Sequence, residues 1–242
     1  MVFGILPIER DLFVMKERLF PDKRITIFAG HYGSGKTNLA VNYALMLRNE
    51  GKKVIVLDLD IVNPYFRTKD SAAVFAEHSI RLISSPYANT NVEAPSIAKE
   101  SYAAFDDPEA FVVIDVGGDD AGAIALGRFE DRAPMEDIQM ILVVNKYRPL
   151  SSNLDDCREI VDSIENSSRI QFDGMVNNSN LSRSTTAEDV LQTVPFAQSL
   201  SEGLVLPLFA TSVIEPLACQ VGALVENVYP IRIYDSVMQS YI

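Results

Sequence analysis

Residues 25–37 read ITIFAGHYGSGKT, and no other stretch limits the possible folds so sharply. Ile25 to Phe28 are apolar or β-branched and predict a buried strand. Gly30-x-x-x-x-Gly35-Lys36-Thr37 follows, and an apolar run from Leu39 to Leu47 has helical length. In a strand–loop–helix of this kind the glycines let backbone N–H groups turn toward phosphate oxygens. The first helical turn adds unpaired donors and the positive end of its dipole. Lys36 is placed to reach β- and γ-phosphates, and the Thr37 hydroxyl to ligate Mg²⁺. Contacts to a nucleotide are expected from Gly30, Gly33, Ser34, Gly35, Lys36, Thr37 and Asn38. The plain alternative is a glycine-rich turn with a surface lysine, and the flanking strand and helix weigh against it.

The rest of the composition narrows the ligand classes. The 242 residues are 48 % hydrophobic, enough for one full core, and the formal net charge is −12. Binding to nucleic acid by phosphate neutralisation needs a basic stripe, and none is visible, so no nucleic-acid partner is expected. An acidic chain is no obstacle to a nucleotide, because the loop supplies its own local positive field. Cys157 and Cys219 lack metal-spaced companions and read as reduced thiols of a cytoplasmic protein. The start, MVFGILPIERD, has no basic segment and only a short apolar run, unlike a signal peptide. The longest apolar region, 203–225, holds Pro207, Glu215 and Pro216 and reads as strand, turn and helix.

Apolar strand candidates recur at Val54–Asp58, Ile80–Ile83, Phe111–Asp115, Met140–Val144, Gly174–Asn177 and Val205–Phe209. Helical stretches at Ser96–Phe105, Leu150–Ile164 and Ser212–Val225 lie between or after them, the last opening with a capping-box spacing, Ser212-x-x-Glu215. The alternation predicts a three-layer α/β fold: a mostly parallel twisted sheet with helices on both faces. Residues 1–23 form a helical extension in this reading, with Ile8, Leu12, Met15 and Leu19 on one stripe, and residues 24–242 form the nucleotide-binding domain.

Ligands of such sheets bind at the carboxyl ends of the strands. One strand ends in Asp58-Leu-Asp60. Another ends in Asp115, followed by Gly117, Gly118 and Asp119. An aspartate after four apolar residues can present its carboxylate to Mg²⁺, so Asp58, Asp60 and Asp115 join Thr37 as candidate metal ligands. Each could equally cap the next turn. Gly118 lets a backbone amide approach the γ-phosphate.

Together these motifs resemble the MinD/ParA branch of P-loop ATPases, whose relatives include dethiobiotin synthetase. The resemblance runs over roughly residues 24–228 and is strongest at Gly30–Gly51, at VIVLDLDIVN (54–63) and at DVGGDDAGAIAL (115–126). It implies ATP with Mg²⁺ as cofactors and Lys36 as the catalytic cation. Asp60 would orient the attacking water, and an asparagine amide after Gly174-Met-Val would read adenine. By position that role falls on Asn178, with Asn177 beside it, and an Asx-turn holding two asparagines is the other reading.

The departures are specific. His31 stands where the family carries a second lysine that crosses to the partner subunit, and Tyr32 replaces the following glycine. The end of the chain has Arg232 as its only basic residue and Pro230 within it, which argues against a basic membrane helix. Asn145-Lys146 begins like the guanine motif N-K-x-D, but its fourth residue is Arg148, which argues against guanine readout. Two function classes stay open. One is a slow ATPase switching a protein partner of unknown identity, with a homodimer allowed. The other is an ATP-dependent ligase or kinase resembling dethiobiotin synthetase.

Overall fold

Alternation along the central strands decides the architecture. In β1 (Ile25–Ala29), Ile25, Ile27 and Ala29 enter one apolar cluster while Phe28 enters another, as the two-residue repeat of a strand requires. Every residue of β1 is buried, so both faces of the sheet are covered. The computed structural model describes residues 20–60, 71–84, 99–117, 120–129 and 132–234.

The chain proceeds from β1 through α1 (Lys36–Asn49), β2 (Lys53–Leu59), α2 (Ala72–Glu77), β3 (Arg81–Ser84) and α3 (Lys99–Tyr102) to β4 (Ala110–Val116). Then come α4 (Asp120–Gly127), β5 (Ile138–Val144), α5 (Leu154–Ser168), β6 (Gly174–Asn177), α6 (Ala187–Leu191) and α7 (Val194–Leu204). β7 (Leu208–Ile214), α8 (Glu215–Gly222) and β8 (Val228–Ile231) complete it. The strands form one sheet in the order β3-β2-β4-β1-β5-β6-β7-β8, and every pairing is parallel. Residues of α1 and Phe75 of α2 pack on one face with Phe28, Val56, Val113 and Ile141. Leu126 of α4, Val161 of α5 and Leu200 of α7 pack on the other with Ile27, Leu57 and Ile114. The expected three-layer fold is therefore present, and β1, between β4 and β5, marks the point where the strand order reverses. A ligand crevice opens at such a point.

Several boundaries differ from expectation. The strand expected at 205–209 is displaced, because Val205 caps α7 in the left-handed conformation and β7 begins at Leu208. The capping box at Ser212 is absent: Ser212 is still in β7, and α8 starts three residues later with Ile214 at its N-cap. A capping box forms instead at Thr186 and Asp189, opening α6. Helix α5 starts at Leu154, where the Asn153 side chain accepts from the Asp156 N–H at 2.9 Å. Of the helix expected at 96–105, α3 (Lys99–Tyr102) lies within the described residues and ends before Phe105, while residues 96–98 lie outside them. The amphipathic stripe from Ile8 to Leu19 lies outside the described residues. Phe20 packs edge-on against Phe28, Tyr43, Phe209 and Tyr229. Among the described residues no helix is long and apolar enough to cross a membrane.

Candidate functional site

The loop between β1 and α1 is held open by donors on its outer side. Gly30, Gly33 and Gly35 have φ of 140°, 77° and 91°, a region that side chains avoid. A Cβ on Gly30 would also meet the Val143 carbonyl at 2.6 Å, and one on Gly35 would strike the Asn178 amide. Three of the loop's carbonyls are captured by side chains: His31 O by Lys36 Nζ at 3.1 Å, Gly33 O by Arg148 Nε at 3.1 Å, and Ser34 O by Asn178 Nδ2 at 2.7 Å. A trans peptide places the next N–H opposite its carbonyl, so the outward Ser34 carbonyl turns the Gly35 N–H toward the concave side. Ser34 Oγ is fully buried with no hydrogen-bond partner among the described residues. That orphaned donor in an N–H-lined cradle fits a phosphate. Helix α1 carries no acidic residue in its first turn, so its positive end is left to an anion.

Carboxylates gather beside the loop. Asp58 of β2 and Asp115 of β4 are register partners, and Asp115 is also opposite Phe28 of β1. They are 4 % and 0 % exposed, and Asp58 Oδ1 accepts from the Asp60 N–H at 3.0 Å. Thr37 and Lys36 are buried as well. The structure thus brings Thr37, Asp58, Asp60 and Asp115 to one end of three adjacent strands. Among the described residues no three or more His, Cys, Asp or Glu side chains form a metal cage of their own. A few carboxylates plus a hydroxyl suit Mg²⁺, which completes its octahedron with phosphate and water. Gly118 lies outside the described residues.

A cavity of about 600 Å³ opens over the loop, with Tyr32, Gly33, Gly35, Lys36, Thr37, Asn38 and Asp60 on the loop side. Its remaining walls come from the β5–α5 loop (Asn145, Tyr147, Arg148), the β6–α6 loop (Asn178, Asn180, Leu181, Ser182) and the strand end Ile231, Ile233 and Tyr234. Gly30, Ser34, Asp58 and Asp115 are not among the residues that line this cavity. Asn145 joins two of the walls: its Oδ1 accepts from the Tyr147 N–H at 3.0 Å and its Nδ2 donates to Asn180 O at 3.3 Å.

Two expected contacts are spent elsewhere. The Asn38 side chain faces residues 232–234, bonding Arg232 O and the Tyr234 N–H, both at 2.9 Å. Asn178 is 1 % exposed. Its Nδ2 holds the loop, while its Oδ1 accepts from Ser212 Oγ and, at 3.3 Å, from Asn180 Nδ2. An amide so engaged is not what reads an adenine edge. Asn177 is turned inward too, donating to Thr193 Oγ1 at 3.0 Å. His31 has a pKa lowered first by partial burial and then by the Lys36 charge, against a smaller upward pull from Asp156. That shift favours the uncharged imidazole over the cation that a lysine would supply. Arg148, Asn180, Ile233 and Tyr234 were not foreseen as site residues. Arg148 had a signal, its place in the Asn145-Lys146 motif, whereas Tyr234 had none.

No family model and no curated protein matches the chain. Solved structures do match in fold. The signal recognition particle 54 kDa protein of Aeropyrum pernix K1, in complex with GDP, has TM-score 0.52 at 16 % identity over 81 % of this chain and 43 % of its own. The cell division protein FtsY of Thermotoga maritima has TM-score 0.53 at 17 % identity, covering 84 % of this chain and 66 % of its own. FtsY of Mycoplasma mycoides has TM-score 0.52 at 13 % identity, covering 78 % and 59 %. This chain therefore spans less than two thirds of each of those proteins. These similarities overturn the MinD/ParA resemblance, and with it ATP as cofactor, the ATPase activity and the dethiobiotin-synthetase-like alternative. The physical reason is that the motifs behind the resemblance, a glycine loop and aspartate-ended strands, serve phosphate and metal. They are common to nucleotide-binding sheets of several branches and carry no information about the base. The argument against guanine from Arg148 falls for the same reason: it considered one side chain of a pocket built from four separate segments.

Proposed function

We propose that this chain is a guanine-nucleotide switch: it binds GTP and GDP with Mg²⁺, hydrolyses GTP slowly, and acts on a protein partner according to the nucleotide held. The observation that carries the reading is the juxtaposition of Lys36 and Thr37 with Asp58, Asp60 and Asp115 at the reversal point of the sheet. Guanine is favoured because the fold is like that of a protein solved with GDP. Dependence on a protein partner, and dimerisation as one form of it, are proposed from the same likeness to the signal recognition particle protein and FtsY. Residues 24–242 would be the nucleotide-binding domain, acting in the cytoplasm, where Cys157 and Cys219 stay reduced.

In this reading the loop from Gly30 through Asn38 offers its N–H groups to the phosphates, and Lys36 shifts from the His31 carbonyl to the β/γ-oxygens. Thr37 and Asp115 hold the metal with Asp58 behind them, Asp60 orients water, and Gly118 contributes a backbone amide. Mg²⁺, when bound, neutralises charge building up on the phosphate oxygens. The test is competition binding of GTP and ATP to the wild type and to Lys36→Ala. GTP should bind at least tenfold tighter than ATP, and Lys36→Ala should lose roughly 10²-fold or more in GTP affinity or turnover. Equal affinities would end the guanine assignment, and an unchanged Lys36→Ala would end the phosphate-site assignment.

A further inference from the structure

Beyond β8 the chain has left the sheet, yet its next three residues are gripped as firmly as a strand. Asn38 and Asn42 stand one turn apart on the same face of α1. Asn38 Nδ2 and Asn42 Nδ2 both donate to Arg232 O at 2.9 Å. Asn42 Oδ1 accepts from the Arg232 N–H at 2.8 Å, and Asn38 Oδ1 accepts from the Tyr234 N–H at 2.9 Å. Each side-chain amide offers one donor edge and one acceptor edge, the same pair a peptide in a neighbouring strand would offer. On the other side Arg232 Nε is bonded to Glu215 Oε2 of α8 at 2.7 Å. Asparagine is a poor residue for a helix interior, so two of them at this spacing signify a contact worth its propensity cost.

The grip has one geometric result: Ile233 and Tyr234 are held against the first turn of α1 and line the same cavity as Lys36 and Thr37. Tyr234 is half-buried and packs on the α1 side of the core. Phosphates belong at the loop, and Thr37 belongs to the metal. The cavity leaves room for the rest of a nucleotide past Asn38, between the β6–α6 loop and residues 231–234. From this we infer that Tyr234, backed by Ile233 and latched by Asn38 and Asn42, is the aromatic wall on which the purine ring of the nucleotide rests. The inference takes its ligand from the guanine-nucleotide reading and adds the residues that bind the base.

The chain contains no tryptophan, so Tyr234→Trp creates a single-tryptophan protein whose emission reports on this wall. Titration with Mg·GDP should change that emission saturably, at the dissociation constant that calorimetry gives for the same variant. Pyrophosphate, which has no base, should bind without the change. Tyr234→Ala and Asn42→Ala should each lose about tenfold or more in GDP affinity, as expected for one lost base–aromatic stack, while keeping their affinity for pyrophosphate. Circular dichroism of both variants should match the wild type. The assignment is overturned if Tyr234→Trp binds GDP by calorimetry with unaltered emission, or if Tyr234→Ala binds GDP as the wild type does. If the wild type binds pyrophosphate but not GDP, the guanine-nucleotide reading fails and this one with it.

Discussion

At Asn178, one buried amide does structural work that its position in the sequence disguises. Its Nδ2 pins the Ser34 carbonyl and its Oδ1 receives the Ser212 hydroxyl, so it ties β6 and β7 to the phosphate loop. Gly35 is glycine partly because any Cβ there would collide with this amide. Asn178→Ala leaves the buried Ser34 carbonyl without the amide that holds it, a loss on the order of 1–3 kcal/mol, and leaves the Ser212 hydroxyl only a long 3.4 Å bond to the Asn177 carbonyl. The loop then loses the tether that aims the Gly35 N–H. We expect the variant to bind GDP, ATP and pyrophosphate all more weakly, by about tenfold, with the GDP-to-ATP ratio unchanged. A residue that read the base would shift that ratio and leave pyrophosphate alone. Parallel calorimetric titrations with the three ligands separate the two roles, and a changed ratio would return Asn178 to the base. The contrast with Tyr234, where pyrophosphate binding is expected to survive, makes the pair a map of the cavity from phosphate to purine.

Elements show the same division between what packing fixes and what contacts decide. Gly174 opens β6 at a conformation any residue adopts, but an added Cβ would lie 2.5 Å from the Phe209 ring on β7. The same pair of strands has a register irregularity at Met175/Val176, directly after Gly174. Gly174→Ala should therefore destabilise the fold by about 1–3 kcal/mol through overpacking. It sits at the opposite end of β6 from Asn177 and Asn178, so nucleotide affinity should hold. Urea unfolding against a binding titration checks both halves, and an unchanged midpoint would mean that Phe209 swings aside freely. The strands β1, β2, β4, β5 and β6 were legible because they are apolar on both faces. β7 was not, since Thr211 and Ser212 make its buried end look like a helix start, and their burial is understandable only once Ser212 is seen bonding Asn178. β8 was hidden by Pro230, which an edge strand tolerates because, among the described residues, one side of its ladder has no partner strand. The phosphate half of the candidate site follows from local spacing alone. The proposed base half does not, because Asn180 and Tyr234 come from segments with no fixed spacing to the loop.

For the molecule as a whole, Asp58 and Asp115 set the relation between ligand and stability. Both are buried side by side at the strand ends beneath the loop, where charge is poorly solvated. A nucleotide brought to that loop without a metal adds phosphate charge to two nearby carboxylates. In the proposed reading a hard divalent cation held by Thr37 and Asp115 would turn the latter into a ligand and offset the charge of Asp58 behind it. Binding to the native state alone stabilises it by RT ln(1 + [L]/Kd), about 2.7 kcal/mol at a hundredfold excess over Kd. For a chain of this size each kcal/mol raises Tm by roughly 2–4 °C, so saturating Mg·GDP should raise it by roughly 5–11 °C. Chelation of Mg²⁺ by EDTA should remove more than half of that rise. Asp115→Asn, which no longer presents a charged ligand to the metal, should show a smaller rise that EDTA barely alters. ATP at the same concentration should shift the wild type by a third as much or less. Thermal melts of the two proteins with each nucleotide, with Mg²⁺ and with EDTA, provide the whole comparison. An EDTA-insensitive rise in the wild type would remove the metal from the mechanism and leave Lys36 and the loop as the only anion-binding parts, whereas equal shifts with GDP and ATP would show that the walls around Tyr234 and Asn180 do not distinguish the bases.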